Sequence, residues 1–155
     1  MLHNFLLTLH IMGAIIGFGP TFVFPLVGSL AKKEGAPAAW LIRVNHLIEH
    51  RMTIPVATLV QPGTGAGLII ISHGAYAPFE RSGRWLLVAL CVYVVAYFFA
   101  VFPERLWVSK SLHLAEAGDF GPEFASTAQK VERGGMFLTV LLLFIIVMMV
   151  TKPNF

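Results

Sequence analysis

Histidines are the side chains of this sequence best suited to chemistry, and one of them lies inside an apolar segment. His10 falls about one and a half helical turns into an apolar run that starts at Phe5. Ionisable groups within such segments are costly and are therefore functional candidates. Gly13 and Gly17 follow His10 on the same helical stripe. This pattern predicts a shallow groove for a flat macrocycle ligated by the imidazole, as in haem-binding bundles.

The same stripe has a structural interpretation. Gly13-x-x-x-Gly17 is typical of a face on which two membrane helices pack, and His10 would then hydrogen-bond across the bundle. From the spacing alone this interpretation is the stronger of the two.

His46 and His50 lie one helical turn apart in the spacing H-x-x-x-H. That spacing can present two imidazoles to one copper or zinc ion. A third ligand would have to come from Glu49, Glu104 or His113. Without a third ligand, the pair is better explained as a solvated, mildly basic helix face.

Gln61 and Thr64 share one face of the run Gln61-Pro62-Gly63-Thr64-Gly65-Ala66-Gly67. This run lies in an apolar segment and contains no lysine, which excludes a phosphate loop. Its glycines predict a kink and close helix contact. The two polar side chains are expected to hydrogen-bond a cofactor propionate, a quinone or a neighbouring helix, of which the last is favoured.

The composition places these residues in a membrane. Apolar residues make up 57% of the 155 residues and charged residues 12%, against roughly 25% charged in soluble proteins. A soluble fold of this size cannot bury so much apolar surface, so lipid must be part of the solvent. The net charge of +3 comes from short basic clusters between apolar segments, a membrane-topology pattern that excludes nucleic acid as a partner.

Four apolar segments are long enough to cross a bilayer. We predict spans at about residues 5–30, 52–72, 85–102 and 136–150, the last within a helix that begins at Gly121-Pro122. Residues 36–51 and 104–118 carry apolar side chains at helical spacing and are expected to extend the spanning helices or to lie on the membrane surface. The predicted fold is an all-α integral membrane four-helix bundle, a single transmembrane domain over residues 1–155.

The basic residues also predict an orientation. Loops one and three hold eight of them and the opposite side holds three, which places loops one and three in the cytoplasm and both termini outside. The eight are Lys32, Lys33, Arg43, Arg51, Arg105, Lys110, Lys130 and Arg133; the three are Arg81, Arg84 and Lys152. A bacterial cytoplasmic membrane is the expected location. The acidic residues Glu104, Glu116, Asp119, Glu123 and Glu132 fall on the cytoplasmic side and are expected to be solvated.

His73 is a further candidate ligand on the predicted outer side. From the helical rise, His10 lies roughly 9 Å from the membrane midplane and His73 roughly 16 Å. The two histidines could ligate one haem only if a helix unwinds near Gly74.

Several stretches resemble a family of small predicted integral membrane proteins: His10-Ile11-Met12-Gly13-Ala14, Gln61-Pro62-Gly63-Thr64-Gly65 and Met148-Met149-Val150-Thr151-Lys152-Pro153. That family is distantly similar to the CopD copper-resistance proteins and to the HemJ-type protoporphyrinogen oxidases. HemJ-like proteins share an early first-span histidine with a small-residue stripe and a run like Ile48-Glu49-His50-Arg51. The resemblance implies that His10 is a ligand of haem b. It does not extend to the lysine that HemJ-like proteins carry in the third span, so oxidase activity is not implied.

Three functions follow as hypotheses. The leading one is a haem b protein with an electron-transfer or redox role, in which His10, Gly13, Gly17, Gln61 and Thr64 contact the cofactor. The second is binding or transport of copper or zinc by His10, His46, His50 or His73. The third is an accessory subunit whose glycine faces bind another membrane protein. Each is compatible with a redox partner or a homo-oligomer, and the sequence does not decide whether the protein is an enzyme.

Overall fold

Four long helices form the whole described structure. The computed structural model describes residues 1–34, 38–72, 79 and 83–153, with side chains at all of these positions except 24–34 and 38–39. No strand occurs in these ranges, and the all-α fold is confirmed. Helix α1 is Leu2–Glu34, α2 covers residues 38–71, α3 is Arg84–Glu116 and α4 is Pro122–Thr151.

Two of the helices contain wider, π-helical segments. In α2 these are Glu49–Thr53 and Val56–Val60, and in α3 the segment is Ala100–Glu104. Proline accompanies the irregular parts of both helices: Pro55 lies between the segments of α2, and Pro103 lies inside that of α3. A proline removes one backbone donor, and a local π adjustment is one way in which a membrane helix accommodates that loss.

All four helices are long and apolar enough to cross a membrane. Between 11% and 17% of the residues in their most apolar windows are buried inside the bundle, so most apolar side chains face outward, toward lipid. The two amphipathic stretches continue α2 and α3 rather than forming separate helices, and α4 begins at Pro122 as predicted. These helices exceed the roughly 20 residues needed to span the hydrocarbon core, so their ends extend beyond it.

The helices run up, down, up and down. Each contacts its neighbours in sequence, and α1 also packs on α4, which closes the bundle. At one end, the start of α3 packs on the end of α4 through a core of Trp85, Leu86, Ala89 and Met148. At the other end, exposed ion pairs join α2 to α3 and α3 to α4: Arg43 with Glu116, and Lys110 with Glu123. We call this second end, which also carries Arg51, Arg105, Lys130 and Arg133, the basic end; both termini lie at the opposite end.

Candidate functional site

His10 lies at the contact between α1 and α2, in the half of the bundle away from the basic end. Its Nδ1 atom is 2.7 Å from the Thr64 hydroxyl, and its backbone carbonyl accepts a 2.9 Å hydrogen bond from Gln61 Nε2. Gln61 and Thr64 are both buried, and His10 is half-buried. The three polar residues predicted from the sequence as candidates on these helices therefore form one cluster.

The hydrogen bonds of Thr64 fix the tautomer of His10. Thr64 Oγ1 lies 2.5 Å from the Val60 carbonyl oxygen, which can only accept. A hydroxyl has one proton to donate, so both bonds form together only when Thr64 donates to Val60 and accepts from His10 Nδ1–H. The neutral imidazole then carries its proton on Nδ1, and Nε2 is left with a free lone pair.

The glycines around this cluster serve helix packing. A Cβ added at Gly13 would lie 2.9 Å from Val60 Cγ1, and one added at Gly17 would lie 2.5 Å from Val56 Cγ1. Both glycines of α1 are therefore covered by α2, and the groove expected beside His10 is filled by two valine side chains. In this structure Gly13 and Gly17 form a face on which α1 packs against α2, as the structural interpretation of the glycine spacing predicts.

The glycines of α2 accept side chains of α1 in return. A Cβ on Gly65 would lie 3.4 Å from His10 Cε1, and one on Gly67 would lie 3.1 Å from Leu6 Cδ1. Glycines at 65 and 67 thus leave room for the imidazole and the leucine. Gln61 and Thr64 hydrogen-bond to His10 of the neighbouring helix α1, which is the partner favoured from the sequence.

A third helix supports this part of α2. In the π-helical register of this segment, the Gln61 N–H donates to the Val56 carbonyl. The Ala57 carbonyl would accept from the N–H of the next residue, but that residue is Pro62, which has no N–H. The Ala57 carbonyl is left without that backbone donor, and the Tyr93 hydroxyl of α3 donates to it instead. The bond holds α3 against the segment of α2 that carries Gln61 and Thr64.

The paired histidines of α2 lie at the basic end, far along the helix from His10. The rings of His46 and His50 are stacked, with centroids 6.2 Å apart and an interplanar angle of 11°. Within the described ranges, no three or more His, Cys, Asp or Glu side chains are grouped closely enough to hold a metal ion. The pair thus has no third protein ligand among those residues. His73 lies outside the described residues, and its predicted role as a ligand stays a prediction.

Glu104 differs from the expected group of solvated acidic residues. Glu104 is buried, with 6% of its surface exposed, because its side chain turns inward between α3 and α4. The signal that could have identified it is its position directly after Pro103, at the end of an apolar run, where an inward-facing acid is unusual.

Comparison with known proteins identifies a family. A family model described as predicted integral membrane protein (DUF2269) matches residues 4–153, nearly the whole chain. No curated protein and no solved structure matches the chain. The match confirms the expected family of predicted integral membrane proteins. It provides no link to the CopD or HemJ-type proteins.

Proposed function

The chain belongs to the DUF2269 family of predicted integral membrane proteins, and we propose that it acts within the bilayer as a haem b-binding protein with an electron-transfer or redox role. His10 is the proposed axial ligand. Haem, when bound, supplies one-electron chemistry, and the protein's contribution is to hold and orient the ligand.

The hydrogen bond between His10 and Thr64 is the observation that supports this function. A histidine that ligates a metal through one ring nitrogen almost always donates the other N–H to a neighbouring acceptor, which fixes its tautomer and orientation. His10 has this arrangement: Nδ1–H is donated to Thr64, and Nε2 keeps its lone pair. Nε2 also has no hydrogen-bond partner among the side chains that the structure describes.

The packing of α1 on α2 limits where a porphyrin can lie. The Gly13 and Gly17 side of α1 is closed by Val56 and Val60, so a ring bound to His10 would lie on the outward side of the helix pair. Ile11 is exposed on α1, and the position of a Cβ on Gly63 of α2 has no atom within 4 Å. An apolar macrocycle on that surface would be surrounded by lipid or by a second membrane protein.

An absorption spectrum tests this function. Protein expressed with sufficient haem supply and purified in detergent should show a Soret band, and His10→Ala should lose it. His113→Ala is the matched control, because His113 is an exposed histidine at the basic end, and this variant should keep the band. A colourless wild-type protein, or an unchanged band in His10→Ala, would reject the proposal.

Copper or zinc binding is a second candidate, favoured by the parallel rings of His46 and His50. In a tetrahedral site, two imidazoles leave two coordination positions to be filled by a partner, a second copy or water. Metal analysis after supplementation should find bound ion in the wild type and much less in His46→Ala and His50→Ala. A metal-free wild-type protein would exclude it.

A further inference from the structure

Glu104 is the one buried acidic side chain in the described part of the chain. Only 6% of its surface is exposed, and its Oε2 atom has no hydrogen-bond partner. A carboxylate held away from water without a partner is strongly unfavourable. In membrane proteins, ionisable groups kept at such a cost are commonly part of ion or proton pathways.

The carboxyl group of Glu104 is received by a glycine of α4. Its Oε2 occupies the space that the Cβ of residue 134 would fill if that residue were not glycine. The neighbouring Gly135 has open space at the equivalent position, so only Gly134 is required to be small by this contact. The sequence thus provides α4 with a recess for the carboxyl group.

Irregular helix geometry accompanies the inward-facing acid. Glu104 ends the π-helical segment of α3, and Glu49 begins a π-helical segment of α2. Such bulges redirect side chains and are frequent at functional sites. Thr53 lies in the same segment as Glu49, and its hydroxyl is a second buried polar atom without a hydrogen-bond partner.

Among the side chains that the structure describes, no lysine or arginine forms an ion pair with Glu104. Glu49 of α2 is close enough for its negative charge to repel an ionised Glu104. Arg105 of α3 attracts the Glu49 carboxylate. From α4, the exposed residues Lys130 and Arg133 line a cleft beside Gly134 but form no ion pair with Glu104. Residues 2–23 of α1 contain no acidic residue, lysine or arginine.

A cleft between α3 and α4 opens beside Gly134. The cleft has a volume of about 220 Å³ and is lined by Phe99, Trp107, Lys130, Arg133, Gly134 and Phe137. Gly134 therefore borders both the cleft and the Glu104 carboxyl group, and Lys130 and Arg133 give the cleft two basic side chains.

We propose that Glu104 is a proton-binding site of this protein, which takes up and releases a proton through the cleft beside Gly134, with Glu49 as the neighbouring acid that tunes it. A proton is the ligand that these residues can hold by themselves. A divalent cation needs several ligands, and no group of three His, Cys, Asp or Glu side chains occurs among the described residues. The site lies in the other half of the bundle from His10 and does not depend on haem.

Infrared spectroscopy of the full chain in lipid tests this proposal. The carbonyl stretch of a protonated carboxyl group is separate from that of an ionised one. Near neutral pH, the wild type should show one protonated carboxyl group per chain that titrates reversibly and shifts in D₂O. Glu104→Gln, which keeps the shape of the side chain, should abolish it. Glu116→Gln, which removes an exposed acid from the same helix, should leave it unchanged.

Two further variants separate this site from a folding defect. Glu49→Gln removes the neighbouring negative charge and should lower the titration midpoint of the same band by about one pH unit. Gly134→Ala fills the recess and should displace the carboxyl group, so that its band titrates with the solvated acids. A signal that persists in Glu104→Gln, or a wild type without it, would overturn the proposal. Stoichiometric binding of Ca²⁺ or Zn²⁺ that is lost in Glu104→Gln would also overturn it, in favour of a metal site.

Discussion

The imidazole of His10 and the hydroxyl of Thr64 are joined by a 2.7 Å hydrogen bond between α1 and α2, across 54 positions of sequence. Because the Thr64 hydroxyl donates its hydrogen bond to the Val60 carbonyl and can only accept from His10, one side chain of α2 sets the tautomer of a histidine on α1. The bond contributes to helix association and also fixes the tautomer of His10.

Replacing Thr64 tests both consequences. Thr64→Val keeps the shape but removes the acceptor, and should lower the free energy of unfolding by about 1 kcal/mol. Thr64→Ser should retain most of the stability because it keeps the hydroxyl. NMR of ¹⁵N-labelled histidine should show the Nδ1–H tautomer of His10 in the wild type and a mixture in Thr64→Val. An unchanged tautomer in Thr64→Val would contradict the assignment.

The close approach of Gly17 to Val56 predicts intolerance of even one methyl group. Gly17→Ala would place its Cβ 2.5 Å from Val56 Cγ1 and should cost about 1–3 kcal/mol in SDS-induced unfolding. The double variant Gly17→Ala, Val56→Ala should recover only part of that loss, because it removes both Cγ atoms but leaves the Val56 Cβ 2.6 Å from the added methyl group. Gly19→Ala is the control: no atom lies within 4 Å of its Cβ position, and the change should be neutral or slightly stabilising. Equal losses for Gly17→Ala and Gly19→Ala would disprove the packing role.

The hydroxyl of Tyr93 replaces a backbone donor that Pro62 cannot provide. Tyr93→Phe should therefore destabilise the protein by about 1 kcal/mol, since the Ala57 carbonyl would lose its donor within the membrane. Tyr97→Phe removes only a 3.3 Å contact with Thr58 and should cost less. Comparing the two variants by SDS unfolding checks the role of Tyr93, which a larger effect of Tyr97→Phe would refute.

The ion pairs at the basic end are expected to add little stability. The side chains of Arg43 and Glu116 are 71% and 44% exposed, and those of Lys110 and Glu123 are 53% and 61% exposed. Glu116→Gln and Glu123→Gln should each cost less than about 1 kcal/mol, and the loss should disappear at high salt. A large, salt-independent loss in either variant would show that the pair is structurally essential.

Much of the fold could be predicted because hydropathy reports directly on the solvent of each segment. The four helices, the start of α4 at Pro122 and the small-residue contact face are all local patterns. The grouping of His10 with Gln61 and Thr64 could be only partly predicted. Each residue was identifiable by its polarity within an apolar segment, but the sequence did not indicate that they bond one another.

The burial of Glu104 could not be predicted from the sequence, for a different reason. By composition it belongs with the acids of the third loop, and a charge near a helix end is ordinarily solvated. Its burial depends on the π-helical segment at Pro103 and on the absence of a side chain at Gly134, which lies 30 positions later on another helix.

The amino-acid sequence by itself determined that this protein lies in a membrane as four helices, because apolar length and charge content decide which solvent a segment can occupy. The tertiary structure decided what the polar residues of those helices do. Hydrogen bonding and burial depend on the atoms that an antiparallel neighbour brings opposite. For His10, the neighbour provides the Thr64 hydroxyl as a hydrogen-bond partner. For Glu104, it provides a glycine, Gly134, whose missing side chain leaves room for the carboxyl group.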